Sequence, residues 1–265
     1  MKPITRYLPR ELGQLAYDDS GGDGPVCLAI AGMGDLRDQF RALRPLLLAA
    51  GWRVITVDAR GQGESSIFWQ DYSAQACARD VLALLDALGI VRAVLIGHSF
   101  AAGVVCLAAA LAPQRVQAQV WLGPVLRAQH QPWWTPLAMK IGFAGPWRAA
   151  MWLRYRDSLF ARRPADHLAQ RNRLAARLRE PGRMRALRAL MAYDPAQISP
   201  HIAAQSTPTL ALIGAQDADL TDPAGEAAWL ASHRQVQVQL LADVGHYPQL
   251  EAPPQTADAM LAFLR

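Results

Sequence analysis

The sequence predicts an α/β fold: a doubly wound, mostly parallel sheet with helices on both faces. Short apolar runs alternate along the chain with longer segments of helical periodicity. The runs are apolar continuously rather than at every second residue, as strands covered on both faces require. The alternation breaks once, between Arg127 and Pro200, where fourteen Lys/Arg stand against four Asp/Glu.

In chain order, Ile4–Leu8 and Leu15–Asp18 read as an antiparallel hairpin at one sheet edge. Val26–Ile30 is the first long strand, followed by a helix over Gln39–Ala50. Val54–Val57 is a strand and Ala74–Leu88 a helix, its Val81, Leu84, Leu85 and Leu88 spaced three and four apart on one face. Gly51 and Gly89 sit just past these two helices, where a left-handed residue is often needed. Ala93–Ile96 leads into a small-residue helix over Phe100–Ala112, and Gln119–Leu122 is the next strand. After the break come strand Thr209–Ile213, helix Ala224–Ser232, strand Val236–Leu241 and helix Pro254–Leu264. The strands number eight.

Composition narrows the classes. Of 265 residues, 52% are hydrophobic and 18% charged, too apolar for a disordered chain. Cys27, Cys77 and Cys106 lie in apolar patterns that imply burial, and three cysteines make no disulfide framework. Ala101–Ala112 is too short to cross a bilayer, and the N-terminus lacks an apolar signal core, so a soluble, cytoplasmic protein is expected. The net charge of +5 divides into +10 for 127–200 and −5 for the remainder. The insert also holds four of the eight tryptophans, Trp133, Trp134, Trp147 and Trp152, and so reads as a separate structural unit. Nucleic acid is not the expected partner, because the arginines lie on helices that also need an apolar face. There is no HExxH and no Gly-rich phosphate loop, so neither metal nor cofactor is expected.

Chemistry belongs at the carboxyl ends of the strands. After Ala93–Ile96 comes Gly97-His98-Ser99-Phe100-Ala101. A serine two residues past a glycine, between strand and helix, is a nucleophile-elbow arrangement. The chain turns so sharply there that positions 97 and 101 crowd each other and must be small. The serine needs a base. Of six histidines, His98 adjoins the serine but points away, into packing or hydrogen bonding. His130, His167 and His201 lie in or beside the insert, and His233 ends a helix. His246 follows the last strand and can reach the serine. The base needs an acceptor that fixes its tautomer. Asp217 follows Thr209–Ile213, while Asp219 and Asp222 are rivals better suited to loop capping or the surface. The strand end at Trp121-Leu122 offers no carboxylate. Backbone N–H groups of Phe100 and Met33 are the candidate oxyanion donors.

With these motifs in this order, the chain resembles the α/β-hydrolase fold superfamily, as a serine esterase-like member. The supports are Gly97 to Ala101, Gly214-Ala215-Gln216-Asp217, and Gly245-His246-Tyr247-Pro248 with Glu251 and Pro253. Asp58-Ala59-Arg60-Gly61-Gln62-Gly63-Glu64-Ser65 is similar to the family's turn after the next strand and is expected to brace the oxyanion loop. Ala31-Gly32 departs from the His-Gly of many relatives, and epoxide hydrolases and haloalkane dehalogenases would need Asp at position 99. The resemblance implies a core domain of 1–126 and 201–265 and a helical cap, or lid, over 127–200. Leu174 and Leu178, then Met184, Leu187 and Met191, read as its apolar face, with its arginines in water. Trp133, Trp134 and Phe143 are expected at the site entrance, favouring an apolar acyl or aromatic ester. A sharper reading has the basic face attract an anionic lipid surface or an acyl thioester of coenzyme A or a carrier protein. Thioester, lactone, amide or C–C cleavage would use the same triad. A slow-turnover ligand receptor or signalling protein is the reading from another class.

Overall fold

A computed structural model describes residues 4–128, 142 and 145–265. The strands are β1 (Thr5–Arg10), β2 (Gly13–Asp19), β3 (Val26–Ile30), β4 (Arg53–Val57), β5 (Ala93–His98), β6 (Val116–Leu122), β7 (Thr209–Gly214) and β8 (Val236–Leu241). They form one sheet in the order β1-β2-β4-β3-β5-β6-β7-β8. The β1–β2 and β2–β4 pairs are antiparallel and the others parallel.

Helices α1 (Arg44–Ala49), α2 (Ala74–Ala87) and α3 (Phe100–Leu111) precede β6. Between β6 and β7 lie α4 (Arg148–Ser158), α5 (His167–Leu178), α6 (Arg183–Leu190) and α7 (Ser199–Ala204). Helices α8 (Pro223–Ala231), α9 (Pro248–Glu251) and α10 (Pro253–Phe263) complete the chain. The continuous apolar strands are explained by two cores. Leu28, Leu95, Ala211 and Ile213 face one core with α2, α3 and α8. Cys27, Val94, Ile96, Leu210 and Leu212 face the other with α1 and α10. The three cysteines are free and buried, as their patterns implied, and burial pushes each thiol up to about 12.

The helix expected over Gln39–Ala50 is broken. A tight turn occupies Arg37–Phe40, and α1 starts afresh at Arg44. Pro45 stands in its first turn, where a missing N–H is harmless; further inside a helix it would break the ladder. The four-residue α9 was not foreseen in the sequence, being too short to show a period.

The inserted helices build their own small core from Trp152, Leu153, Leu174, Leu178, Met184 and Leu187, and Met33 and Leu36 of the loop after β3 pack against it. Their arginines do not all face water, as the sequence had them. Arg156 pairs with Asp35 at 3.0 Å, Arg173 with Asp38 at 3.0 Å and Arg177 with Glu64 at 2.6 Å. Arg183 donates to the Ser65 carbonyl at 2.6 Å. Among the described residues, no helix is long and apolar enough to cross a membrane.

One guanidinium ties the sheet edge together. Arg37 donates through Nε to Asp18 at 2.9 Å, through Nη2 to Glu64 at 2.6 Å and through Nη1 to Asp58. Its backbone N–H also donates to Asp58 Oδ1 at 2.7 Å. The turn over 58–65 therefore braces the loop after β3, and Gln62 Oε1 reinforces it by accepting the Asp35 N–H at 3.2 Å. Removing the guanidinium would leave buried carboxylates uncompensated. Arg37→Met is expected to lower stability by about 3–5 kcal/mol, read as a fall in urea midpoint at unchanged slope.

Candidate active site

The end of β5 meets α3 at Ser99, whose φ is 56°, the one positive value for a non-glycine among the described residues. Such a backbone conformation costs about 1–3 kcal/mol and persists only where surroundings over-determine it. Here the Ser99 N–H is held by the Leu122 carbonyl at 2.9 Å. The crowding read from the sequence is present: a Cβ at Gly97 would lie 2.2 Å from the Ala101 carbonyl oxygen.

Asp217 follows β7 and accepts from His246 Nδ1 at 2.8 Å, both groups buried. Burial alone would lower the imidazole, but the charge and hydrogen bond of Asp217, then Asp219 and Glu251, raise it to about 9. Several contacts fix the loop that carries His246. Its N–H donates to the Leu159 carbonyl at 2.9 Å, and its carbonyl meets His98 Nε2 at 2.9 Å. Burial, then the neighbouring His246, holds His98 well below the usual imidazole range. A neutral His98 bonded this way carries its proton on Nε2. Gly123 permits the close approach of β6: at φ 50°, its Cβ would stand 2.6 Å from the His246 carbonyl oxygen.

Glu251 locks the same loop to the insert. Its carboxylate accepts the N–H groups of Gly245 at 3.1 Å, Tyr247 at 3.0 Å, and Ala161 and Arg162 at 2.9 Å each. Tyr247 stacks on Phe160 with ring centres 4.3 Å apart.

Ser99, His246, Met33 and Phe100 all line one cavity of about 110 Å³, and α4 closes it with Trp152, Tyr155 and Arg156. Phe100 stands at the first position of α3, where the N–H has no intrahelical acceptor. The Met33 turn is pinned by the Trp152 indole N–H, which donates to the Gly34 carbonyl at 3.1 Å. A larger groove of about 590 Å³, lined by Asp71, Tyr72, Asp194 and His201, shares only Phe100's ring partner Tyr193 with this cavity. It contains neither Ser99 nor His246, so the smaller cavity is the candidate site.

The structure thus gathers Ser99, His246, Met33 and Phe100 in one cavity, with Asp217 behind the imidazole. His130, Trp133, Trp134 and Phe143 lie outside the described residues. Asp222 is a helix cap as expected, accepting the Gly225 N–H at 2.9 Å. Asp219 is not merely a loop residue: it lines the cavity, 3.7 Å from His246 Nε2. Tyr155 and Arg156 were missed, because nothing in the insert's periodicity marks which residues turn toward a distant strand end.

The fold agrees with the known proteins that this chain resembles. The model of the family described as alpha/beta hydrolase fold matches residues 25–194, and the chain belongs to that family. It is 31% identical over 259 residues to the dihydrolipoyllysine-residue acetyltransferase component of the acetoin cleaving system of Pseudomonas putida, covering 95% of this chain and 66% of that one. It is 35% identical over 99 residues to bifunctional epoxide hydrolase 2 of Sus scrofa, 37% of this chain and 18% of that one. The chain therefore spans less than two thirds of either relative. A probable hydrolytic enzyme from Pseudomonas aeruginosa PAO1 superposes with a TM-score of 0.82 at 24% identity, covering 100% of this chain and 95% of that one.

Glu251→Ala should release all four N–H groups that its carboxylate accepts. Amide hydrogen exchange at Gly245, Tyr247, Ala161 and Arg162 is expected to accelerate together, by about tenfold or more, as loss of a charge-assisted bond implies. Unchanged exchange at Gly245 and Tyr247 would show that the loop is held by other contacts.

Proposed function

We propose that the chain is a serine hydrolase cleaving carboxylic esters of apolar acyl or aromatic substrates. The observation that carries this is Ser99, in a strained strand-to-helix turn, sharing a cavity with a His246 that is bonded to Asp217. Ser99 Oγ attacks the ester carbonyl as His246 Nε2 takes its proton. Asp217 holds the Nδ1 proton and stabilises the imidazolium. The Met33 and Phe100 N–H groups receive the oxyanion, each donor worth roughly 3–4 kcal/mol of barrier. The imidazolium then gives its proton to the leaving alcohol. Water, deprotonated by His246, attacks the acyl-enzyme and releases the acid and Ser99. The inserted helices act as the lid of this site. Serine at position 99 argues against the epoxide opening for which one relative is named.

A second reading, hydrolysis of an anionic acyl thioester, is favoured by one observation. Arg148, Arg185 and Arg188 of the insert converge with Phe68 on a surface groove of about 370 Å³. If that groove holds the carrier, Arg185→Gln with Arg188→Gln raises KM for acyl-coenzyme A while leaving an uncharged aryl ester of equal chain length unaffected.

Ser99→Ala is expected to lower turnover of aryl esters by about four to six orders of magnitude; retained activity would overturn the mechanism. The pH dependence has a definite sign. A base works only when neutral, and His246, raised to about 9, becomes neutral as pH climbs through that value. The kcat/KM profile should therefore rise with pH to a plateau above about 9, measured with an ester whose leaving group does not titrate there.

A further inference from the structure

The His246 ring has a carboxylate near each nitrogen. Asp217 Oδ2 lies 2.8 Å from Nδ1, and Asp219 Oδ2 lies 3.7 Å from Nε2, the nitrogen that must serve Ser99. Asp219 is held there from two directions. Its N–H donates to Asp217 Oδ1 at 2.9 Å, and its Oδ1 accepts from the Tyr155 hydroxyl of α4. Tyr155 remains a donor, because burial and then the charge of Asp219 push its ionisation far above the usual phenol range. With Oδ1 engaged, Oδ2 is the oxygen that faces the imidazole.

The other groups around the ring do not cancel this field. His98, across from it on β5 with ring centres 4.8 Å apart, is neutral. Tyr247 is held un-ionised by burial. Arg156 of α4 lines the cavity, but its charge is paired with Asp35 at 3.0 Å. Glu251, bound to the loop's own N–H groups, adds a third negative charge. The imidazole thus sits among carboxylates with no unpaired cation facing it among the described residues.

We propose that Asp219 is a positioning residue that holds His246 as an imidazolium in the resting enzyme, gripped between two carboxylates. The inference rests on the triad reading above. The proton count is simple. In the resting state, Nδ1–H points to Asp217 and Nε2–H toward Asp219. Loss of the Nε2 proton to solvent exposes the lone pair to Ser99, whose hydroxyl proton later refills the same place. Asp219 therefore has two opposed effects. Near neutral pH it reduces the fraction of enzyme carrying a free base. Once the base is free, the same carboxylate strengthens it and stabilises the imidazolium formed during attack.

Asp219→Asn keeps the shape and the Tyr155 partner but removes the charge. An opposite charge at this range shifts a titration by about one unit or more, so the rising limb of kcat/KM should move down by about one pH unit. Activity at pH 7 then increases several-fold while the high-pH plateau falls, and the two profiles cross. Asp219→Ser, which deletes the group, is expected to move the limb the same way. NMR titration of the His246 ring in a Ser99→Ala background should show the same downward move, whatever the nucleophile is. An unmoved titration, with activity lowered equally at every pH, would overturn the proposal and leave Asp219 a structural role. Retained ester hydrolysis by Ser99→Ala would instead overturn the triad reading, while the titration still reports on Asp219.

Discussion

The ion pair between Arg156 and Asp35 is the interaction on which the rest of the site depends. Both side chains are only 5% exposed. Taking two charges out of water costs several kcal/mol each, so such a pair adds little net stability over an apolar pair of equal volume. Its consequence is positional. Asp35 lies on the loop after β3 that carries Met33, and Arg156 lies on α4 beside Tyr155. The guanidinium also stands over the rings of Phe160 and Tyr247, about 5.2 and 5.3 Å from their centres. One side chain thus joins the Met33 turn, the inserted helix and the residue next to His246. Removing either partner would leave an uncompensated buried charge, and all three elements would have to shift to relieve it.

The uneven charge of the sequence acquires a physical meaning in this frame. The +10 of residues 127–200 and the −5 of the remainder meet at the boundary between insert and sheet. Arg156, Arg173 and Arg177 reach carboxylates of the sheet domain, and Arg41 of the sheet domain returns to Asp166 at 2.6 Å. The exposed members of this set are individually weak, worth about 0–1 kcal/mol. Their value is in register: opposite charges on two faces that also share Trp152, Met33 and Leu36 select one docked orientation of the inserted helices. Part of the insert's positive charge is thus matched across the docking face, while Arg148, Arg185 and Arg188 line the surface groove.

What the sequence revealed divides along the range of the interactions. Ser99 was legible because the elbow is local: Gly97 and Ala101 lie within two residues of it, and strand and helix flank it. The placement of Asp217 and His246 was legible because each lies in the loop that follows an apolar strand run. The helix over Gln39–Ala50 failed on a local rule given too little weight, since Pro45 restarts the helix. Tyr155, Arg156 and the orientation of Asp219 were not legible for a different reason. Tyr155 and Asp219 are 64 residues apart, and only the docking of α4 on the sheet decides which oxygen faces which nitrogen. An amphipathic period says that one face is buried, not which strand end it meets.

The same docking makes His246 and the cavity wall a single mechanical unit. Leu159, one residue past the end of α4, accepts the His246 N–H, and Glu251 joins Ala161 and Arg162 to Gly245 and Tyr247. Tyr155 fixes Asp219 from the same helix. A displacement of α4 that enlarged the cavity would therefore also move the carboxylate facing Nε2 and the carbonyl holding the histidine loop. The cavity wall and the contacts that hold His246 cannot change independently in this chain. Where a site draws its wall and the support of its base from separate elements, the wall can vary while the base stays fixed. Here, substitutions along α4 alter both together, because one helix supplies both.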